Sequence, residues 1–431
     1  MSGLTDLSLK LMADGLAAKA FSAVELIEAH LAEIERRNSS LNAIWALDAE
    51  RALRAAEESD QRRASGVSRG ALDGIPVGVK DNIDVLGLPT TNGLGTSWMP
   101  EQNAAVIDSL GRAGAVTFAK LGMHEAALGA TSDNPHHGRV ENPLIESYTP
   151  GGSSGGSGAA VAANLLPLAF GTDTLGSVRI PAAYCGVYGL KTSYNLIPTD
   201  GVTPLSWSFD HVGPIALSVE DLRLALSVLA PGARKGGKKA PASLRVGIPR
   251  GEEFAALHPE IERVYEEAIT QVQQDGHELV ELYLDLGNLS ALRRAALLVI
   301  EVEATLTLGK LLKSAPDAFS PELKKFLDYG GSAPATDFVV AKRKCDAAAR
   351  KIEEGLSNVD MILLPTVDHL VFRFEDGAPK SQADLTGLAN LAGVPALSFP
   401  VTKDSNGLPI SLQALGRKGT DFQLIENVMS L

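Results

Sequence analysis

The chain has 431 residues, of which 45% are apolar and 21% charged, an ordinary balance for a globular protein with a large core. Its net charge of −13 repels phosphate backbones and argues against a nucleic-acid partner. Two cysteines, Cys185 and Cys345, are too few for a disulfide framework and stand in no metal-ligand spacing, so both are expected as small buried hydrophobes.

Residues 1–20 hold no charged stretch followed by a long apolar run. No signal peptide or membrane-length window is expected, which points to the cytoplasm and to no membrane partner. Ser22 and Glu25 form a capping box, and Phe21 with Leu26 fits a hydrophobic staple. Val24, Ile27, Leu31 and Ile34 follow at helical spacing. Residues 75–79 read as a short buried strand that ends at Lys80. Residues 106–112 read as a helix that leads through Gly114 into a strand at 116–119, a pattern typical of α/β folds.

Residues 151–158, Gly-Gly-Ser-Ser-Gly-Gly-Ser-Gly, have the composition of a flexible linker. Their flank argues otherwise, because apolar sequence begins at once and a linker should border exposed chain. Clustered glycines between buried elements instead indicate positive φ or close backbone approach. A helix is predicted at 159–163 and a strand at 166–170. A second tight loop runs from Gly171 to Ser177. Such a loop is either a plain strand-to-helix turn or a mount for an exposed hydroxyl nucleophile, with concave backbone N–H donors.

Residues 231–242 turn to Gly, Lys and Pro and read as an exposed connection, with the basic run 234–239 as a solvated loop. Beyond it, 260–351 is mostly helical, and short apolar strands return at 361–365 and 396–400. The alternation makes one large α/β domain over residues 1–431 the simplest architecture, with a mostly helical insertion at about 232–355.

A serine hydroxyl needs a base. The eight histidines include His124, His136, His137 and His211 in the first half, and none sits in a pattern that names it. A Gly-x-Ser-x-Gly elbow does not fit, because Leu175 and Arg179 flank Ser177 where glycines would stand. A desolvated lysine can replace histidine, and Lys80 is the candidate. From local sequence alone, a strand-end lysine whose head reaches solvent is the simpler reading.

Taken together, these segments resemble the amidase signature family. The likeness rests on residues 151–181, which end in Ser177-Val178-Arg179-Ile180-Pro181, and on Val79-Lys80-Asp81-Asn82-Ile83. Ser153 and Ser177 stand 24 positions apart, as in that family. The segments 205–214 and 407–413 are also familiar from stand-alone amidases. The resemblance implies an α/β fold with a large mixed sheet covered by helices on both faces. It implies an amidohydrolase that forms an acyl-enzyme and needs no metal or organic cofactor. Carried over by position, Ser177 attacks the amide carbonyl, Ser153 relays the proton from behind a cis peptide bond, and neutral Lys80 accepts it. The N–H groups of Thr174, Leu175, Gly176 and Ser177 are the implied oxyanion hole, and Asp173 and Arg179 the loop supports. Trp207 and Phe209 either line the acyl pocket or are core aromatics. A homodimer is common in the family.

One departure is Leu175, where the family has a small residue, so Leu175 is expected to restrict the acyl group. Three functions follow. The first is a stand-alone amidase acting on a small molecule. The second is the glutaminase component of a tRNA-dependent amidotransferase, whose pattern has Gln where this chain has Ile180 and an acidic residue where it has His124. The third is a silent scaffold, which only Leu175 favours.

Overall fold

The computed structural model describes residues 3–230, 232 and 240–431. The expected basic loop at 234–239 lies outside the described residues. The strands are β1 (Ile44–Leu47), β2 (Pro76–Lys80), β3 (Val116–Leu121), β4 (Leu168–Asp173), β5 (Tyr188–Lys191), β6 (His211–Ala216), β7 (Arg245–Arg250), β8 (Glu278–Tyr283), β9 (Met361–Pro365), β10 (Ala396–Lys403) and β11 (Pro409–Leu415). The helices are α1 (Leu9–Ala18), α2 (Ala23–Leu41), α3 (Ala49–Ala64), α4 (Ala105–Arg112), α5 (Gly155–Ala162), α6 (Arg179–Cys185), α7 (Val219–Leu229), α8 (Pro259–Gln274), α9 (Leu289–Ser314), α10 (Pro321–Ser332), α11 (Ala335–Ser357), α12 (Gly387–Ala392) and α13 (Asp421–Val428).

Among the described residues, all eleven strands join one mixed sheet in the order β1-β3-β2-β4-β6-β5-β10-β11-β9-β7-β8. β2 runs parallel to both β3 and β4, and β7 runs parallel to both β8 and β9. Every residue of β2, β3, β4, β6, β9 and β11 is buried. Alternate side chains of a strand point to opposite faces, so both faces of the central sheet are covered. The capping box at Ser22 forms as expected: its hydroxyl accepts from Glu25 N–H, and Glu25 Oε2 accepts from Ser22 N–H. Both cysteines are buried, and burial pushes their thiols up, Cys345 to about 11.

Two segments differ from the sequence reading. The stretch expected as a helical insertion supplies β7 and β8, the far edge of the sheet, with α8 as their crossover. The purely helical part is α9 to α11. The Gly/Ser stretch is half helix, because α5 starts at Gly155. Close approach explains the glycines. A Cβ on Gly156 would lie 2.4 Å from the Gly122 backbone nitrogen, and one on Gly152 would lie 2.8 Å from the Ala130 and Thr131 backbone. Only glycine lets these chains pack at that distance.

Candidate active site

Lys80 closes β2, and Asp173 closes its parallel neighbour, β4. The loop after β4 carries Ser177. The site therefore lies at the carboxyl ends of parallel strands, where α/β sheets open a crevice. The Gly/Ser loop is stitched onto β4. Ser154 Oγ donates to Thr172 O at 3.1 Å, Ser157 Oγ to Phe170 O at 3.3 Å, and Ser154 N–H to Ser177 O at 3.2 Å. The Gly152–Ser153 peptide bond is cis.

Lys80 is fully buried. Its Nζ lies 2.7 Å from Ser153 Oγ and 2.8 Å from Thr172 Oγ1, and Asn82 Nδ2 donates to Thr172 Oγ1 at 3.1 Å. Desolvation drives the amine down to about 7, against the pull of the Asp210 and Asp173 carboxylates. Near neutral pH a large fraction of Lys80 is therefore a free base. Ser177 borders a cavity of about 100 Å³. Its hydroxyl makes no hydrogen bond among the described residues, so the structure joins Lys80 to Ser153 but does not hydrogen-bond Ser153 to Ser177. Resting catalytic contacts are commonly loose and tighten once substrate is bound.

Arg179 and Asp173 are buried together. Arg179 Nε and Nη2 each donate to Asp173 at 3.0 Å, Nη1 donates to Thr386 O and Gln413 Oε1, and Nη2 also donates to Asn390 Oδ1. Burial opposes the Asp173 charge, but the guanidinium and its hydrogen bonds prevail and hold the carboxyl well below its usual range. Asp173 in turn accepts from Gly176 N–H at 2.7 Å and Val178 N–H at 3.2 Å. The pair pins the loop that carries Ser177 to α12 and β11.

That contact corrects the expected oxyanion hole. Gly176 N–H is already held by a buried carboxylate and is not free to meet a developing oxyanion. The N–H groups of Thr174, Leu175 and Ser177 carry no such contact among the described residues. The pocket separates the two readings of the aromatics. Leu175 lines it, but Trp207 and Phe209 do not. Trp207 is half exposed, and Phe209 is buried in a cluster with Leu175 and Leu205. The cavity wall comes instead from Leu175, Ile180, Leu205, Leu297, Ile300, Ala383 and the segment 127–130.

Among the described residues, no histidine hydrogen-bonds the side chain of either serine; His124 reaches Thr131 Oγ1 at 3.3 Å. Burial lowers His124 to about 4, and burial followed by the Lys191 charge holds His211 well below its usual value. Sequence reasoning missed Thr172 and Asp210. Asp210 is buried. Its Oδ1 accepts from Thr174 Oγ1 at 2.6 Å, and its Oδ2 accepts from Leu205 and Ser206 N–H at 2.8 and 2.9 Å. Burial lifts its carboxyl to about 6. It sits in the segment 205–214, one of those that resemble stand-alone amidases. A larger cleft of about 300 Å³, bordered by Arg51, Arg62 and Arg69, contains none of these residues.

The fold and the site define an amide-hydrolysing class of enzyme. The chain belongs to the amidase family, whose model matches residues 25–425. The A subunit of the glutamyl-tRNA(Gln) amidotransferase of Chloroflexus aggregans is 33% identical, over 95% of this chain and 92% of that protein. A crystal structure of an amidase superimposes with TM-score 0.90 at 31% identity, covering 98% of each chain. The peptide amidase of Stenotrophomonas maltophilia superimposes with TM-score 0.85 at 25% identity, covering 98% of this chain and 96% of that one. Among the described residues, no helix is long and apolar enough to cross a membrane.

Proposed function

We propose that this enzyme hydrolyses the amide of a small molecule to a carboxylate and ammonia or an amine, through an acyl-enzyme on Ser177. The observation that carries the reading is the buried Lys80 amine, 2.7 Å from Ser153 Oγ and titrating at about 7. A lysine can serve as base only where its surroundings keep it uncharged.

In this reading Ser177 Oγ attacks the carbonyl carbon. Its proton passes to Ser153 Oγ as the Ser153 proton passes to Lys80 Nζ. The N–H groups of Thr174, Leu175 and Ser177 receive the oxyanion, and each well-placed donor lowers the barrier by about 3–4 kcal/mol. The protonated Lys80 returns its proton through Ser153 to the leaving nitrogen, and the C–N bond breaks. Water, deprotonated along the same relay, then releases the acid and frees Ser177. Asp173 and Arg179 act as braces, since all of Arg179's forked contacts are spent within the protein.

The pH profile tests the base. A protonated Lys80 cannot accept the proton, so kcat/KM is expected to rise with pH through about 7 and then level. Ser177→Ala should remove turnover. A flat profile from pH 5 to 9, with turnover still dependent on Ser177, would exclude Lys80 as the base.

A second reading is the glutaminase component of a tRNA-dependent amidotransferase, which the 33% identity to the Chloroflexus aggregans protein favours. That reading calls for glutamine as substrate and for protein partners.

A further inference from the structure

We propose that the acyl group accepted here is short, apolar and uncharged, which excludes glutamine and other charged amides. The inference rests on the reading of Ser177 as nucleophile, and its test separates the two.

The cavity beside Ser177 is lined by Leu175, Leu205, Leu297 and Ile300, and its only polar side chains are those of Thr174 and Ser177. Thr174 Oγ1 already donates to Asp210 at 2.6 Å. Three buried charges near the wall are committed. Arg179 is spent on Asp173, Thr386, Gln413 and Asn390. Glu303 takes both hydroxyls of Ser206 and Ser208 at 2.6 Å. Asp210 holds Thr174 and two backbone N–H groups. Glu301, one residue beyond Ile300, does not line the cavity.

A carboxylate or ammonium carried into this space would lose its water and meet no partner, which is the costly outcome of burying charge. Shape sets the second limit. The cavity is about 100 Å³, smaller than the ~150 Å³ apolar cavity that admits benzene. The apolar end must hold the part of the substrate that stays on the enzyme, because the leaving amine has to depart. Propionyl, butyryl and isobutyryl groups match that space.

The experiment is a kcat/KM series for ammonia release from propionamide, butyramide, isobutyramide, hexanamide, malonamate and glutamine, in wild type and Ser177→Ala. Butyramide or isobutyramide should lead, and malonamate and glutamine should trail by about 10³-fold or more, because each carries a charge that the cavity would bury unpaired. Ile300→Ala and Leu175→Gly should each move the preference toward hexanamide. Ser177-dependent hydrolysis of glutamine or malonamate within tenfold of butyramide overturns the inference and leaves the nucleophile standing. Equal rates in wild type and Ser177→Ala overturn the nucleophile itself. If no amide in the series turns over, acylation bursts with the p-nitrophenyl esters of butyrate and succinate decide. A Ser177-dependent burst from butyrate alone supports the inference. Matching bursts overturn it, and no burst overturns the nucleophile reading with it.

Discussion

Lys80 shows what a buried amine costs its fold. An unfolded lysine titrates near 10.5, whereas burial brings this one to about 7, so at neutral pH folding must strip a proton from it or bury its charge. Each pKa unit corresponds to about 1.4 kcal/mol, which makes the cost several kcal/mol. Lys80→Met keeps the volume and removes the amine. It is expected to abolish turnover and to raise stability at pH 7 by about 1–3 kcal/mol, less than the full cost because the contacts to Ser153 and Thr172 go too. The sign with pH follows from linkage. Between about 7 and 10.5 the unfolded chain binds more protons than the folded one, so wild-type stability climbs with pH in that window. The advantage of Lys80→Met should therefore shrink from pH 7 to pH 10. Urea midpoints at both values test this, and an advantage that grew with pH would contradict it.

At the scale of elements, α5 brings Ser153 to Lys80 by lying almost backbone-to-backbone on the chain after β3. The Gly156 position allows it: its hydrogen replaces a Cβ that would sit 2.4 Å from Gly122 N and 2.6 Å from Ala43 O. Neither neighbour is a flexible side chain, so the helix itself must move. Gly156→Ala is expected to cost about 1–3 kcal/mol, as overpacking does, and to displace Ser153. The expected signature is a fall in kcat well beyond the change in KM, with the acid limb of the pH profile shifted because the Lys80–Ser153 contact is lengthened. Wild-type kinetics in this variant would refute the close-packing argument. The glycine-rich stretch was legible as something other than a linker because apolar sequence follows it directly. That its second half is helical was not legible, since glycine lowers intrinsic helix propensity and only tertiary packing overrides it.

For the whole molecule, the decisive joint is between α9 and the segment 205–210. Glu303 accepts from Ser206 Oγ, Ser208 Oγ and Ser208 N–H. This ties the helix that supplies Leu297 and Ile300 to the loop that supplies Leu205 and Asp210. Glu303→Gln keeps the shape and loses the charge. Hydrogen bonds to a charged group contribute about 1.5–3 kcal/mol, so the helix should dock less firmly. Faster amide exchange across Leu297–Ala304, with exchange in β2 and β4 unchanged, is expected by mass spectrometry. Unaltered exchange in α9 would mean that apolar packing alone holds it.

Much of this protein is written locally. Ser22 and Glu25 announce a helix start, the run before Lys80 a buried strand, and Gly114 the turn between helix and strand, because capping, alternation and turn geometry act over a few residues. The loops bearing Ser153 and Ser177 are readable as tight turns from composition, and as a pair only through the family resemblance. What the tertiary structure alone decides is the surroundings of those residues. Whether Lys80 is a solvated cation or a free base depends on the desolvation that distant elements impose, and no local pattern encodes it. Asp210 closes on Thr174 across 36 positions, and the wall from α9 meets Leu175 across more than a hundred. Gly176 N–H looked available until Asp173 took it. Propensity is a short-range property of the backbone, while charge, cavity shape and free donors are properties of whatever the whole chain brings to one place.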